Sequence, residues 1–174
     1  MLIEFRFKNY RSFRDDVVLS MEATGLSSFK NSLISYHNLK LLSGVAIYGK
    51  NGGGKSNIIR AFWFAVQFIK NAQRTQHENA SVPVVPFMLN DTSKNQPSEF
   101  EFIYTIRDIK YWYTFAATRE KITKESLYHA PKGQKALVFL KKIKNFLLQK
   151  INQRENLSVK LSLKISYFFP LLVL

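Results

Sequence analysis

The chain has 174 residues, one domain's length, and 46% of them are hydrophobic, with 15 Phe, 8 Tyr and 2 Trp, which excludes a disordered chain. It has no Cys, so disulfide frameworks, Cys-ligated zinc and iron–sulfur sites are excluded, and a reducing, cytoplasmic setting is expected. Lys and Arg number 26 against 12 Asp and Glu, a net charge of +14 that would attract phosphate, although solvated surface lysines account for it equally well.

The charge is uneven: residues 1–135 carry 19 basic and 11 acidic side chains, residues 136–174 carry 7 and 1. His37, His77 and His129 are too scattered to suggest a metal site. Residues 1–13 alternate apolar and charged, unlike a secretory signal. The longest apolar stretches, Ala61–Val66 and the last ten residues, fall short of the roughly 20 residues that span a bilayer, so no membrane partner is expected.

Leu2–Lys8 reads as a half-buried strand with Ile3, Phe5 and Phe7 on one face and Glu4, Arg6 and Lys8 on the other. Residues 9–13 read as a turn, and Val17–Met21 as a second strand. Residues 22–40, rich in Ser and Asn, read as irregular. Val45–Tyr48 is a short apolar run of the kind expected for a strand buried on both faces. Asn57–Lys70 predicts a helix packed on most of its circumference, because Asn57, Arg60, Gln67 and Lys70 leave one narrow polar stripe.

Residues 71–98 hold three of the five prolines and read as a long connection. Phe100–Ile106 and Lys110–Thr118, separated by Arg107-Asp108-Ile109, predict an aromatic hairpin. Ile122–His129 and Lys135–Phe139, around Pro131-Lys132-Gly133, predict two more strands.

Between the apolar run and the helix lies Gly49-Lys50-Asn51-Gly52-Gly53-Gly54-Lys55-Ser56, which fits G-x-x-x-x-G-K-[ST]. Each residue type has a reason in phosphate chemistry. Glycines let the backbone bend until successive N–H groups surround an anion without a Cβ in the way. Lys55 would bring a compact cation to the β/γ-phosphates, and the Ser56 hydroxyl would ligate Mg²⁺. The helix start beyond, from Asn57, adds its positive dipole end. A flexible glycine turn is the plainer alternative, but a buried strand running in and an apolar helix running out favour the phosphate loop.

The form of the loop, G-x-N-G-x-G-K-S, together with Leu2-Ile3-Glu4-Phe5 and Asn9-Tyr10-Arg11-Ser12-Phe13, resembles the ABC-type ATPase heads of the SMC and RecF kind. It is most similar to their stand-alone AAA-type ATP-binding relatives in bacterial anti-phage and abortive-infection systems. The likeness spans residues 1 to about 135, with the aromatic hairpin standing for the antiparallel lobe. It implies an α/β P-loop NTPase fold, the first lobe of such a head, with an attached antiparallel sheet. The cofactors implied are ATP and Mg²⁺; the partners implied are a second head in a homodimer or a nuclease, with DNA as a further one. The resemblance also places Arg11 and Ser12 beside the nucleotide, although Arg11 has a structural reading as a cap or pairing residue. Gln67, Gln96 and Gln134 all stay open as the glutamine that would bridge the lobes.

Hydrolysis in such heads uses an Asp-Glu pair after four apolar residues, to hold the Mg²⁺ shell and orient water. None of Glu78, Asp91, Glu99, Glu101, Asp108, Glu120, Glu125 or Glu155 fits that description, and the Ser-Gly-Gly signature is absent, so the catalytic residues stay unassigned. From about Leu140 the composition turns to Leu, Lys, Ile, Asn, Phe and Ser and ends on Tyr167–Leu174. Two units are therefore expected: an ATP-binding part over 1–139 and an atypical basic, apolar tail over 140–174.

Phe139, Ile143, Phe146 and Leu147 fall at helical spacing among lysines, as in a membrane-surface or nucleic-acid-binding helix. The expectation preferred here is a frameshift near residue 140 in a longer native chain. A basic nucleic-acid-binding protein without catalysis, and another P-loop enzyme such as a small-molecule kinase or GTPase, remain the alternative functions.

Overall fold

A computed structural model describes residues 1–25, 30–71 and 81–142. Among these residues, eight strands and one long helix run in the order β1 (Leu2–Lys8), β2 (Val17–Ser20), β3 (Ile34–Tyr36), β4 (Leu39–Leu41), α1 (Lys55–Lys70), β5 (Ser98–Ile106), β6 (Ile109–Ala117), β7 (Ile122–Ala130) and β8 (Ala136–Lys142). Six of the strands form one sheet in the order β2-β1-β5-β6-β7-β8, every neighbouring pair antiparallel.

The alternation of Phe with charged residues explains the layering. Phe5 lies opposite Phe102, and Phe7 opposite Phe100, which in turn faces Phe115. These five rings line one face of the sheet and are at most 2% exposed. Helix α1 covers that face with Ala61, Phe62, Ala65, Val66, Phe68 and Ile69. Phe68 stacks on Phe115 at 4.3 Å, and Phe62 meets Phe5 edge-on at 5.1 Å. Such pairs add about 0.5–1.5 kcal/mol each beyond the area they bury. Much of the aromatic content is thus core.

Several expectations hold with small changes of boundary. The aromatic hairpin turns on Arg107 and Asp108 alone, both with positive φ (47° and 61°), a two-residue turn whose twist suits the flanking strands. The second hairpin, β7–β8, turns as expected, with the Gly133 N–H donating to the Ala130 carbonyl. Strand β8 continues through Leu140, paired with Ser126, to Lys142, so the sheet crosses the point where the composition changes. Phe139 is accordingly in a strand and not at a helical position. Ile143, Phe146 and Leu147, with the rest of the tail, lie outside the described residues, as do His77, Glu78 and Glu155.

Other expectations are corrected. Ile3 does not share a face with Phe5 and Phe7: a bulge between Leu2 and Glu4 turns it to the opposite side, where it packs with Leu41 and Ile103. Residues 22–40 are not wholly irregular, because β3 and β4 form a hairpin around His37 (φ 49°) whose Tyr36, Leu39 and Leu41 cover part of that opposite face. Helix α1 is packed on the sheet side but not around most of its circumference, since Trp63, on the side of the polar stripe, is 65% exposed.

The largest correction concerns Val45–Tyr48. The segment forms no strand, and Val45 and Tyr48 are 42% and 89% exposed. Among the described residues there is no parallel strand beside it to bury either face, so its apolar composition has nothing to act on. The α/β arrangement is therefore represented by one helix on an antiparallel sheet, and the parallel part is not seen among the described residues.

Candidate phosphate-binding site

The loop leaves this exposed segment and closes tightly before α1. Helix α1 begins at Lys55, with Gly54 as its N-cap at φ 87°, a conformation that side chains with a Cβ adopt only at a cost. A Cβ at Gly54 would also stand 2.7 Å from Cζ of Phe13, so a larger residue there would have to displace that ring as well as strain the backbone. At Gly52, also at positive φ (77°), a Cβ would meet nothing within 4 Å. One side of the loop is therefore packed and another is open.

Two hydrogen bonds tie the loop to its own lysine. Lys55 Nζ donates to the Gly49 carbonyl at 2.7 Å and to the Lys50 carbonyl at 2.8 Å. A further bond, from the Gly53 N–H to the Lys50 carbonyl at 3.1 Å, closes the turn at its tip. The Asn57 and Ile58 N–H groups both donate to the Gly54 carbonyl. By contrast, the N–H groups of Asn51, Gly52, Gly54, Lys55 and Ser56 have no hydrogen-bond acceptor among the described residues. Free amides at a helix start, beside an ammonium group, make a ready anion site.

The N-terminal turn reaches the loop from the other side. Asn57 Nδ2 donates to Ser12 Oγ at 2.9 Å, and the Phe13 ring rests on Gly54 while packing edge-on against Phe7 at 5.3 Å. Arg11, at φ 51°, is exposed; its Nε donates to the Tyr10 hydroxyl at 3.3 Å, and its guanidinium lies 5.7 Å from the Tyr10 ring centre. No carboxylate pairs with Arg11 among the described residues, so its charge is not neutralised.

Asn9 holds this turn in place. It is 3% exposed, and its amide donates to the carbonyls of Ser93 and Gln96 while its Oδ1 accepts from the Phe87 N–H. Sequence reasoning singled out Arg11 and Ser12 but not Phe13 or Asn9. A buried polar residue at positive φ leaves no periodicity to read, although the Asn-Tyr-Arg-Ser-Phe run contained both.

The structure accounts for several acidic residues by other partners. Glu4 and Glu101 both face Arg6, Asp91 pairs with Lys94, and Asp15 and Asp16 pair with Arg14 and Lys8. Arg14, donating from Nε to one oxygen of Asp15 and from Nη2 to the other, holds that carboxyl below its ordinary pKa. Glu125 accepts from the Tyr113 hydroxyl at 2.6 Å, and burial, with that carboxylate beside it, pushes the phenol's pKa well up. Among the described residues no cluster of three His, Cys, Asp or Glu could hold a metal ion, and no helix is long and apolar enough to cross a membrane. Ser56, exposed at the second position of α1, is the hydroxyl in the loop that is free to serve a phosphate-bound Mg²⁺. Gln67 is half-buried on α1, Gln96 ends a short 3-10 turn, and Gln134 is exposed before β8; their positions do not choose among them.

A glycine loop with free amides, closed on its own lysine at a helix start, is the local form of a P-loop. Residues 45–162 match the family model described as "AAA domain, putative AbiEii toxin, Type IV TA system", and the chain belongs to that family. It is thereby one of the AAA-type, P-loop ATPase-like proteins. The matched range begins at the apolar run before the loop and continues past Leu140. No curated protein matches the chain.

Proposed function

We propose that the chain binds ATP·Mg²⁺ in the loop Gly49–Ser56. The observation that carries this reading is the set of N–H groups of Asn51, Gly52, Gly54, Lys55 and Ser56, unpaired among the described residues, beside the Lys55 ammonium. In it, the amides and Lys55 hold the β- and γ-phosphates, Ser56 ligates Mg²⁺, and Asn57 with Ser12 fixes the first turn of α1 against the N-terminal turn. Arg11, with no carboxylate partner among the described residues, adds a positive charge for the nucleotide. ATP, when bound, supplies the phosphoanhydride whose cleavage such heads couple to movement.

The reading extends to an SMC/RecF-like head that pairs with a second copy or with a nuclease in the cytoplasm and gates a DNA-related, anti-phage activity. Membership in a family described by a toxin–antitoxin system is in keeping with that role. The described carboxylates are engaged elsewhere or unplaced by motif, so slow or no hydrolysis by the chain alone is expected. A frameshift near residue 140 remains the proposed origin of the tail. The family match running to residue 162 is what native sequence would give, and reading the coding DNA in its other frames decides between the two.

Isothermal calorimetry with ATP·Mg²⁺ tests the site. Lys55→Ala should abolish measurable binding while circular dichroism shows the sheet intact. Equal affinity in both proteins would overturn the assignment. A non-enzymatic nucleic-acid-binding role is favoured by a separate surface, on the sheet face opposite α1.

A further inference from the structure

The sheet has a second face, opposite α1, and its two halves differ in charge. At β1 and β5 the acidic Glu4 and Glu101 are tied to Arg6. At β6 and β7 and in the turn before β8, Lys110, Lys124 and Lys135 have no carboxylate within ion-pair distance among the described residues. Instead, the ammonium of Lys135 sits 4.7 Å from the ring centres of both Trp112 and Tyr128, and that of Lys110 sits 5.2 Å from Trp112. Trp112 and Tyr128 are direct cross-strand partners, and both are half-buried. Trp112, like Tyr36 and Leu39 of the β3–β4 hairpin, packs against the cluster of Ile3, Leu41 and Ile103.

We propose that this patch binds single-stranded nucleic acid. The chemistry of the patch selects that partner. Lysines resting on ring faces, with no carboxylate to hold them, can swing out to meet phosphates, and the aromatic faces they leave on adjacent strands then take unstacked bases. A duplex keeps its base faces stacked internally and so gains nothing from Trp112 and Tyr128. An acidic peptide would use the lysines but leave the rings without planar partners. The surface shares no residue with the nucleotide site, so the two readings fail separately.

The chain has 2 Trp, so Trp63→Phe leaves Trp112 as the sole indole reporter. In that background, a fluorescein-labelled oligothymidylate should quench Trp112 emission and raise anisotropy. Affinity should fall as salt rises. The double variant Lys110→Gln/Lys135→Gln should weaken binding about tenfold and flatten the log–log salt slope by about 1.4, at roughly 0.7 per phosphate contact on a single strand. Tyr128→Ala, read by anisotropy and checked by thermal melting, should also lose about tenfold, within the range measured for base stacking on an aromatic ring. Lys55→Ala should bind the oligonucleotide as the parent does. Unquenched Trp112, equal affinity for a hairpin duplex, unchanged binding in both the lysine and the tyrosine variants, or loss of binding with Lys55→Ala would each overturn the proposal.

Discussion

The sheet with its helix and the segment that leads into the glycine loop are both apolar, yet they end in opposite states. Phe5, Phe100 and Phe115 are at most 1% exposed because each has a cross-strand neighbour on the same face and α1 above it. Val45 and Tyr48, just as apolar, lie open to solvent. Hydrophobicity drives burial only where another surface is present to be buried against. The first region is a finished core. The second holds a preformed anion loop beside apolar residues that no described strand covers.

The contrast breaks most readily in the core. Phe115→Ala should cost about 3–5 kcal/mol in urea or thermal unfolding, since the cavity would open between Phe68, Phe100 and Tyr113. A loss below about 1 kcal/mol would mean that the sheet and α1 do not share this core.

The junction of the two regions comes next. Gly54→Ala should cost about 2–4 kcal/mol, from a Cβ at positive φ and from its clash with Phe13. Phe13→Ala in the same chain should recover part of that loss, about 1 kcal/mol of coupling in a double-mutant cycle. Strictly additive effects would show that Phe13 does not rest on the loop.

The smallest effect belongs to the exposed segment. Tyr48→Ser should change stability by less than about 0.5 kcal/mol, as for other surface sites. A loss of several kcal/mol would reveal that the side chain is covered in solution.

The fold was legible in the sequence where periodicity and local chemistry decide it. The alternation in β1, β5 and β6 and the helical pattern of α1 gave their ends to within a few residues. Features set by long-range partners were not legible. The bulge that turns Ile3 over depends on the register of β1 against β5, and the β3–β4 hairpin depends on the apolar patch of Ile3, Ile103 and Trp112 that it covers. Val45–Tyr48 shows the converse, a strand-like composition without a partner strand.

The site followed the same division. Spacing pointed to the glycine loop from Gly49 to Ser56, and resemblance pointed to the turn that carries Arg11 and Ser12. The Phe13–Gly54 contact required three-dimensional closeness across 41 positions of the chain.

The phosphate cradle is tested most directly at its own amides. In a ¹⁵N-labelled sample titrated with ATP·Mg²⁺, the N–H resonances of Gly52, Gly54, Lys55 and Ser56 should shift together and saturate, while those of β6 and β7 stay in place. Unmoved loop amides at saturating nucleotide, or shifts confined to the sheet, would contradict nucleotide binding at this loop.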